Sequence, residues 1–171
     1  GRFFFSATVF QFDLKDAIVR QVNASGAEYF INAGNAIQKG IEAELSWLLL
    51  NRPKGKFLQL LKMTQALTIN DFRFGTYTVA NVSHAGKKMT GVPKEVYNFS
   101  LQSSFLQHYC CNINLNYAGK IPLNDANAFF AQAYRLWQGK LGWKGAVAKN
   151  QAELFVFAAQ LAALRKYRSH K

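Results

Sequence analysis

The sequence predicts an all-β protein whose antiparallel strands are of the transmembrane-barrel kind. The first observation behind this is a period of two from Val96 to Ala118. Tyr97, Phe99, Leu101 and Phe105 fall on odd positions, with Ser103 the one break, and Asn98, Ser100, Gln102 and Ser104 fall on even ones. After Leu106-Gln107-His108 the pattern resumes, with Tyr109, Cys111, Ile113, Leu115 and Tyr117 odd and Asn112, Asn114 and Asn116 even. Such alternation gives a strand one apolar and one polar face, and a three-residue link suits a hairpin. The second observation is where the aromatics stand. Tyr97 and Phe105 bracket the apolar face of one run, and Tyr109 and Tyr117 bracket the other. Eight residues of strand rise roughly 26 Å, or about 20 Å vertically at a barrel tilt, close to an apolar membrane band with its aromatic girdles. A soluble sandwich hairpin would alternate in the same way. The third observation separates the two: short turns near Pro53, Gln107 and Gly145 alternate with longer links, as in outer-membrane barrels. A soluble meander has no reason to keep that order.

Taken in order, Arg2 to Val22 is predicted as one long strand rich in Phe, Val, Thr and Ile. Asn23 to Gly26 is a turn signal. Glu28 to Leu50 is predicted as a second long strand. Its later half alternates Ile41, Ala43, Leu45, Trp47 and Leu49 with Gly40, Glu42, Glu44 and Ser46. Asn51 to Gly55 holds Pro and Gly and reads as a turn. Phe57 to Phe72 is the next strand, in which Gln65 breaks the apolar side. Arg73 to Glu95 is a long polar link, followed by the hairpin described above. Gly119 to Asn127 is a loop around Pro122. Phe129 to Trp143 is a strand with Trp137, Leu141 and Trp143 facing away from Gln138 and Lys140. Lys144 to Asn150 is a short connection, and Gln151 to Ala159 a last strand. Leu161 to Lys171 favours helix by its Ala, Leu, Arg and Lys content.

Composition narrows the classes. No apolar run nears the ~20 residues of a membrane helix, the longest notable one being Trp47-Leu48-Leu49-Leu50. Barrel strands hide their membrane signal because every second residue is polar. The formal net charge of +12 would suit an acidic partner, but the charge is spread and no RNA-binding or recognition-helix pattern accompanies it. Nucleic acid is therefore not expected as a partner. Cys110 and Cys111 are adjacent, so on a strand they point to opposite faces and do not bond. Gly1 to Phe5 enters directly into a strand-like run with no signal-peptide pattern, as expected of a fragment or mature piece.

No catalytic or metal constellation stands out, and no cofactor is expected. His84, His108 and His170 lie far apart and match no metal-binding spacing. Phosphate-loop, dinucleotide and nucleophile-elbow motifs are missing. Cys111 reads as a small apolar filler. In a barrel the lumen face would carry Glu42, Glu44, Lys62, Asn112, Asn114, Asn116 and Lys140. The membrane girdle would be Tyr97, Phe105, Tyr109 and Tyr117.

Several segments together carry a family resemblance. Phe12 to Ile18, Ala24 to Phe30, Asn32-Ala33-Gly34, Gln38-Lys39-Gly40-Ile41-Glu42-Ala43 and Leu67 to Phe74 resemble late barrel strands of TonB-dependent outer-membrane receptors. So do Thr90-Gly91-Val92-Pro93, Ile121 to Asn127 and Leu141-Gly142-Trp143-Lys144-Gly145. The order and spacing match over roughly residues 1–160, most like the iron-siderophore receptors of Bacteroidetes-type bacteria. The resemblance implies an antiparallel transmembrane β-barrel portion, about seven strands of a larger 22-stranded meander barrel, in the bacterial outer membrane. It implies a plug domain, the remaining barrel strands, outer-membrane lipid and the TonB complex as partners, and an iron-siderophore-like ligand. Lys87 and Lys88 would then sit in an external loop where an anionic ferric complex could meet them. Residues 161–171 depart from the family as a basic tail, and no plug, TonB box or closing strand is expected within this chain. Two readings stand beside this one: a small outer-membrane pore or structural barrel, and a soluble all-β ligand-binding protein whose aromatic face is a core.

Overall fold

The computed structural model describes residues 2–163 except 17, 24, 33, 54, 80, 148 and 149. Thirteen strands follow in chain order: β1 (Phe3–Leu14), β2 (Ile18–Val22), β3 (Glu28–Asn32), β4 (Ala36–Asn51), β5 (Leu58–Phe74), β6 (Thr78–Val79) and β7 (Val82–Ser83), then β8 (Glu95–Phe105), β9 (Tyr109–Ala118), β10 (Ile121–Pro122), β11 (Phe130–Ala131), β12 (Tyr134–Val147) and β13 (Asn150–Ala163). The seven long ones form a single antiparallel sheet in the order β1-β4-β5-β8-β9-β12-β13. Skipping the three two-stranded hairpins, this is chain order, so the sheet is a meander. The β8–β9 hairpin pairs Phe105 with Tyr109 around residues 106–108, with Leu106 and Gln107 at positive φ.

All long connections, residues 15–35, 75–94 and 119–133, leave one end of the sheet, and the tight ones leave the other. At the tight end Val147 pairs with Asn150, so the predicted connection over 144–150 is mostly strand. The long connections carry their own hairpins, β2–β3, β6–β7 and β10–β11. These account for most differences from the sequence reading. The run predicted from Arg2 to Val22 breaks after Leu14, where Asp16 takes φ 55°, a left-handed conformation that Asp tolerates better than branched residues. The run predicted from Glu28 to Leu50 breaks before Ala36 at Gly34, φ 66°. A Cβ on Gly34 would run into the Thr76 carbonyl, so the residues after β5 cross this point closely enough to require glycine. The predicted start at Phe129 moves to Tyr134 because Phe130–Ala131 folds back on Ile121–Pro122. Residues 161–163 continue β13 opposite β12 and are not helical; residues 164–171 lie outside the described ones.

The sheet has one layer. Its apolar face holds Val9, Ile41, Leu67, Ile113 and Leu141, all exposed. The buried apolar cluster consists of Phe74 and Tyr77, with Ile31, Val79 and Met89 against it, and it sits among the long connections at one end. A soluble domain of this size buries the apolar face of its sheet under a second layer. Among the described residues nothing covers this one.

Candidate functional site

Antiparallel partners share a face, so the register sorts every side chain. Lys62, Gln102, Asn112 and Lys140 stand directly opposite one another across β5, β8, β9 and β12. The adjoining row is Ser46, Thr64, Ser100, Asn114 and Gln138, and the next holds Glu44, Ala66, Asn98 and Asn116. Glu42 lies opposite Thr8 and Thr68. The structure thus brings Glu42, Glu44, Lys62, Asn112, Asn114, Asn116 and Lys140 onto one continuous polar face. Asn116 donates to Gln138 at 3.3 Å. Both glutamates are exposed, and no ion pair engages them among the described residues. The polar face turns aromatic at the outer strands, where β1 contributes Phe4, Phe10 and Phe12, and β13 contributes Phe155 and Phe157. The Lys140 ammonium sits 4.2 Å above the Phe155 ring.

The opposite face is apolar. One row across it reads Phe5, Leu45, Gln65, Phe99, Leu115 and Trp137. Tyr97 pairs with Tyr117 toward the long-connection end, and Phe105 with Tyr109 at the tight end, their rings stacked 5.7 Å apart. The four aromatics thus form two pairs at the two edges of this face. Several polar groups that intrude on it have partners, as groups away from water require. Tyr97 donates its hydroxyl to Gln65 Oε1 at 3.0 Å, Gln65 donates to Met63 Sδ, and Ser103 donates to the Cys111 carbonyl. Tyr117 donates to Glu95 at 3.4 Å, and Lys94 pairs with that carboxylate.

The long connections form a joined cap. Asp125 accepts from Tyr77 (2.9 Å) with one oxygen and from Thr90 (2.5 Å) with the other. The Asn127 carboxamide clamps the Lys88 backbone, accepting from its N–H at 2.8 Å and donating to its C=O at 2.9 Å. Gly91 N–H donates to the Pro122 carbonyl. These contacts tie residues 75–94 to residues 119–133. The sequence marked the first only as a polar link and residues 119–127 only as a loop around Pro122; the residues that Asp125 and Asn127 reach in the first segment lie more than thirty positions away.

Lys87 and Lys88 lie in the long connection after β5. Lys88 stands opposite Arg73, joined by the backbone bonds Phe74 N–H to Lys87 O and Met89 N–H to Phe72 O. Arg73 is on the apolar side of β5, with Asp71 and Ile69, so Lys88 lies on that side too. Met89 meets Gln38 on the polar side, and by alternation Lys87 falls on the polar side with Phe74.

The His84 ring lies tilted against Tyr77, 5.4 Å between centroids, and the His108 ring lies 2.8 Å from the Lys144 carbonyl. His170 is outside the described residues. Cys110 lies on the polar face and Cys111 on the apolar one, both as free thiols. Among the described residues no three or more His, Cys, Asp or Glu side chains gather as a metal site.

The chain's sequence matches a family model described as TonB dependent receptor-like, beta-barrel, over residues 1–158. No curated protein matches it.

Proposed function

The chain belongs to the TonB-dependent receptor β-barrel family, and from that premise we propose that it is part of the wall of a receptor that takes up an iron-siderophore-like complex. Receptors of this family work in the bacterial outer membrane and draw on TonB. In this reading the apolar face meets lipid, the polar face lines the lumen, and the tight turns are periplasmic. Tyr97 and Tyr117 form one girdle and Phe105 and Tyr109 the other. Glu42, Glu44, Lys62, Asn112, Asn114, Asn116 and Lys140 face a plug across water. The observation that carries this is a single-layer sheet with one uncovered apolar face and one polar face continuous over its five central strands. Such a surface is stable where lipid supplies the missing layer. The unpaired edges of β1 and β13 take further strands, because open edges are not tolerated in hydrocarbon.

Of the two lysines in the external cap, Lys87 is the ligand candidate. It is exposed and lies on the polar side, where an anionic ferric complex entering the lumen would pass. The soluble reading requires a core beneath the apolar face, and the buried cluster around Phe74 and Tyr77 is too small and too far to one end to serve as one.

The test uses the full-length receptor in vesicles, free of Cys110 and Cys111, with single fluorescent labels at position 113 or 114. Lipid-borne quenchers are expected to reach the label at 113 and not that at 114. Equal quenching by a water-soluble agent at both sites would sink the barrel reading. Growth of a receptor-deleted strain on ferric siderophores as sole iron source tests the ligand class, and no rescue by the intact receptor would remove it.

A further inference from the structure

At β13 the polar face gives way to an apolar one. On the Lys140 side of the sheet this strand presents Phe155, Phe157, Ala159 and Leu161, opposite Gly142, Lys140, Gln138 and Leu136. On the other side it presents Leu154, Val156 and Ala158, opposite Trp143, Leu141 and Gly139. β13 is therefore apolar on both sides over residues 154–159, and a strand of that kind belongs between two apolar surroundings. The bilayer supplies one of them. Phe155, Phe157 and Leu161 face the other way and are 60%, 55% and 68% exposed. The Lys140 ammonium lies on the Phe155 ring and still leaves most of that residue open. The patch has a polar rim, with Gln138 and Lys140 beside it on β12 and the Lys144–Glu153 ion pair, 3.2 Å, at its tight-turn end. An apolar centre inside a polar rim is the anatomy of a protein–protein contact.

The β8–β9 hairpin is the reverse. On the same side of the sheet Asn98, Ser100 and Gln102 stand opposite Asn116, Asn114 and Asn112, three successive rows without an apolar side chain. An open hollow of about 240 Å³ lies over them, bordered by Thr64 and Gln138. Amides and hydroxyls at this density need water or polar partners. Ser100, Asn114, Gln138 and Ala159 share one row, so the wet and the apolar stretches lie at the same depth on neighbouring strands. We infer that the plug is seated off-centre. An apolar surface of the plug packs dry against Phe155, Phe157 and Leu161, and the water-filled gap through which the ligand passes lies against the β8–β9 amides. Lys140, on the strand between, marks the boundary. The inference rests on the reading that this face lines a lumen.

The full-length receptor, free of Cys110 and Cys111, is placed in vesicles with one new thiol, from Ser100→Cys or Ala159→Cys. A water-soluble maleimide is expected to react about tenfold faster at position 100 than at position 159, because thiol reaction follows access. Adding F155S/F157S is expected to raise the rate at position 159 to that at position 100, with heat-modified gel mobility unchanged. In a separate receptor Phe157 is replaced by p-benzoylphenylalanine, and irradiation is expected to cross-link it to a plug peptide, mapped by mass spectrometry. Equal rates at the two positions, a faster rate at 159, or a cross-link to phospholipid, to another barrel strand or to a second receptor would overturn the off-centre seat alone. Reaction of position 100 with a lipid-dissolved maleimide and not with the water-soluble one would overturn the lumen reading beneath it.

Discussion

Tyr97 gives its hydroxyl to Gln65 across the β5–β8 pair, at 3.0 Å, on the face that otherwise holds Leu, Phe, Ile and Trp. Gln65 thereby stops being an error in the alternation. Its carbonyl is used by the tyrosine and its amide by Met63. Removing one member of such a pair away from water costs more than removing both. Tyr97→Phe is expected to destabilise the refolded receptor in vesicles by about 1 kcal/mol, and Gln65→Leu by a similar amount. The double variant is expected to sit within about 0.5 kcal/mol of wild type. Urea titrations of the three variants measure the coupling, and additive losses would mean that the bond contributes nothing.

Neighbouring positions on β9 test which face meets lipid. Ile113 lies on the apolar face and Asn114 on the polar one. Ile113→Arg is expected to cost about 2–4 kcal/mol of folding free energy in a bilayer, because the charge would enter the hydrocarbon near mid-depth. Asn114→Arg is expected to cost well under 1 kcal/mol, since lumen positions accept charge. Equal costs in the two variants would contradict the assignment of faces.

One carboxylate joins two parts of the cap. Asp125 holds Tyr77 from the connection that follows β5 and Thr90 from the same stretch nearer β8. Asp125→Ala removes an acceptor from the buried Tyr77 hydroxyl and one from Thr90, and is expected to cost about 1–3 kcal/mol locally. The sheet should be unaffected, because it lies beyond the cap. Limited proteolysis of intact vesicles is the readout, with faster cleavage within residues 75–94 and unchanged heat-modified gel mobility. Unchanged cleavage would show that the two connections hold together without this residue.

Gly40 faces Phe10 across β1 and β4. A Cβ there would meet the Phe10 ring at 2.7 Å and the Ile69 carbonyl oxygen at 2.5 Å. The ring covers the bare glycine, and Phe72 packs edge-on against it at 6.2 Å. Gly40→Val is expected to expel the ring and cost about 1–3 kcal/mol. Adding Phe10→Ala should recover part of that loss by relieving the ring clash, leaving the backbone contact. No recovery would place the whole cost on the Ile69 carbonyl.

Strand character, the division into polar and apolar faces and the placing of the tight turns were legible from the chain alone. They are local and periodic: side chains alternate along any pleated strand whatever lies beside it, so Asn112, Asn114 and Asn116 had to share a face. The family resemblance was legible too, because it rests on the order of short segments. Other features depended on residues far away in sequence. The break at Gly34 exists because Thr76 crosses there. The cap depends on Asp125 and Asn127 reaching back to residues 77–90. Lys88 faces away from Lys87 because two backbone bonds to Phe72 and Phe74 set its register. Periodicity tells a side chain which neighbours share its side. Only pairing with a distant strand settles which side of the whole sheet that is, because one residue of slip reverses every assignment.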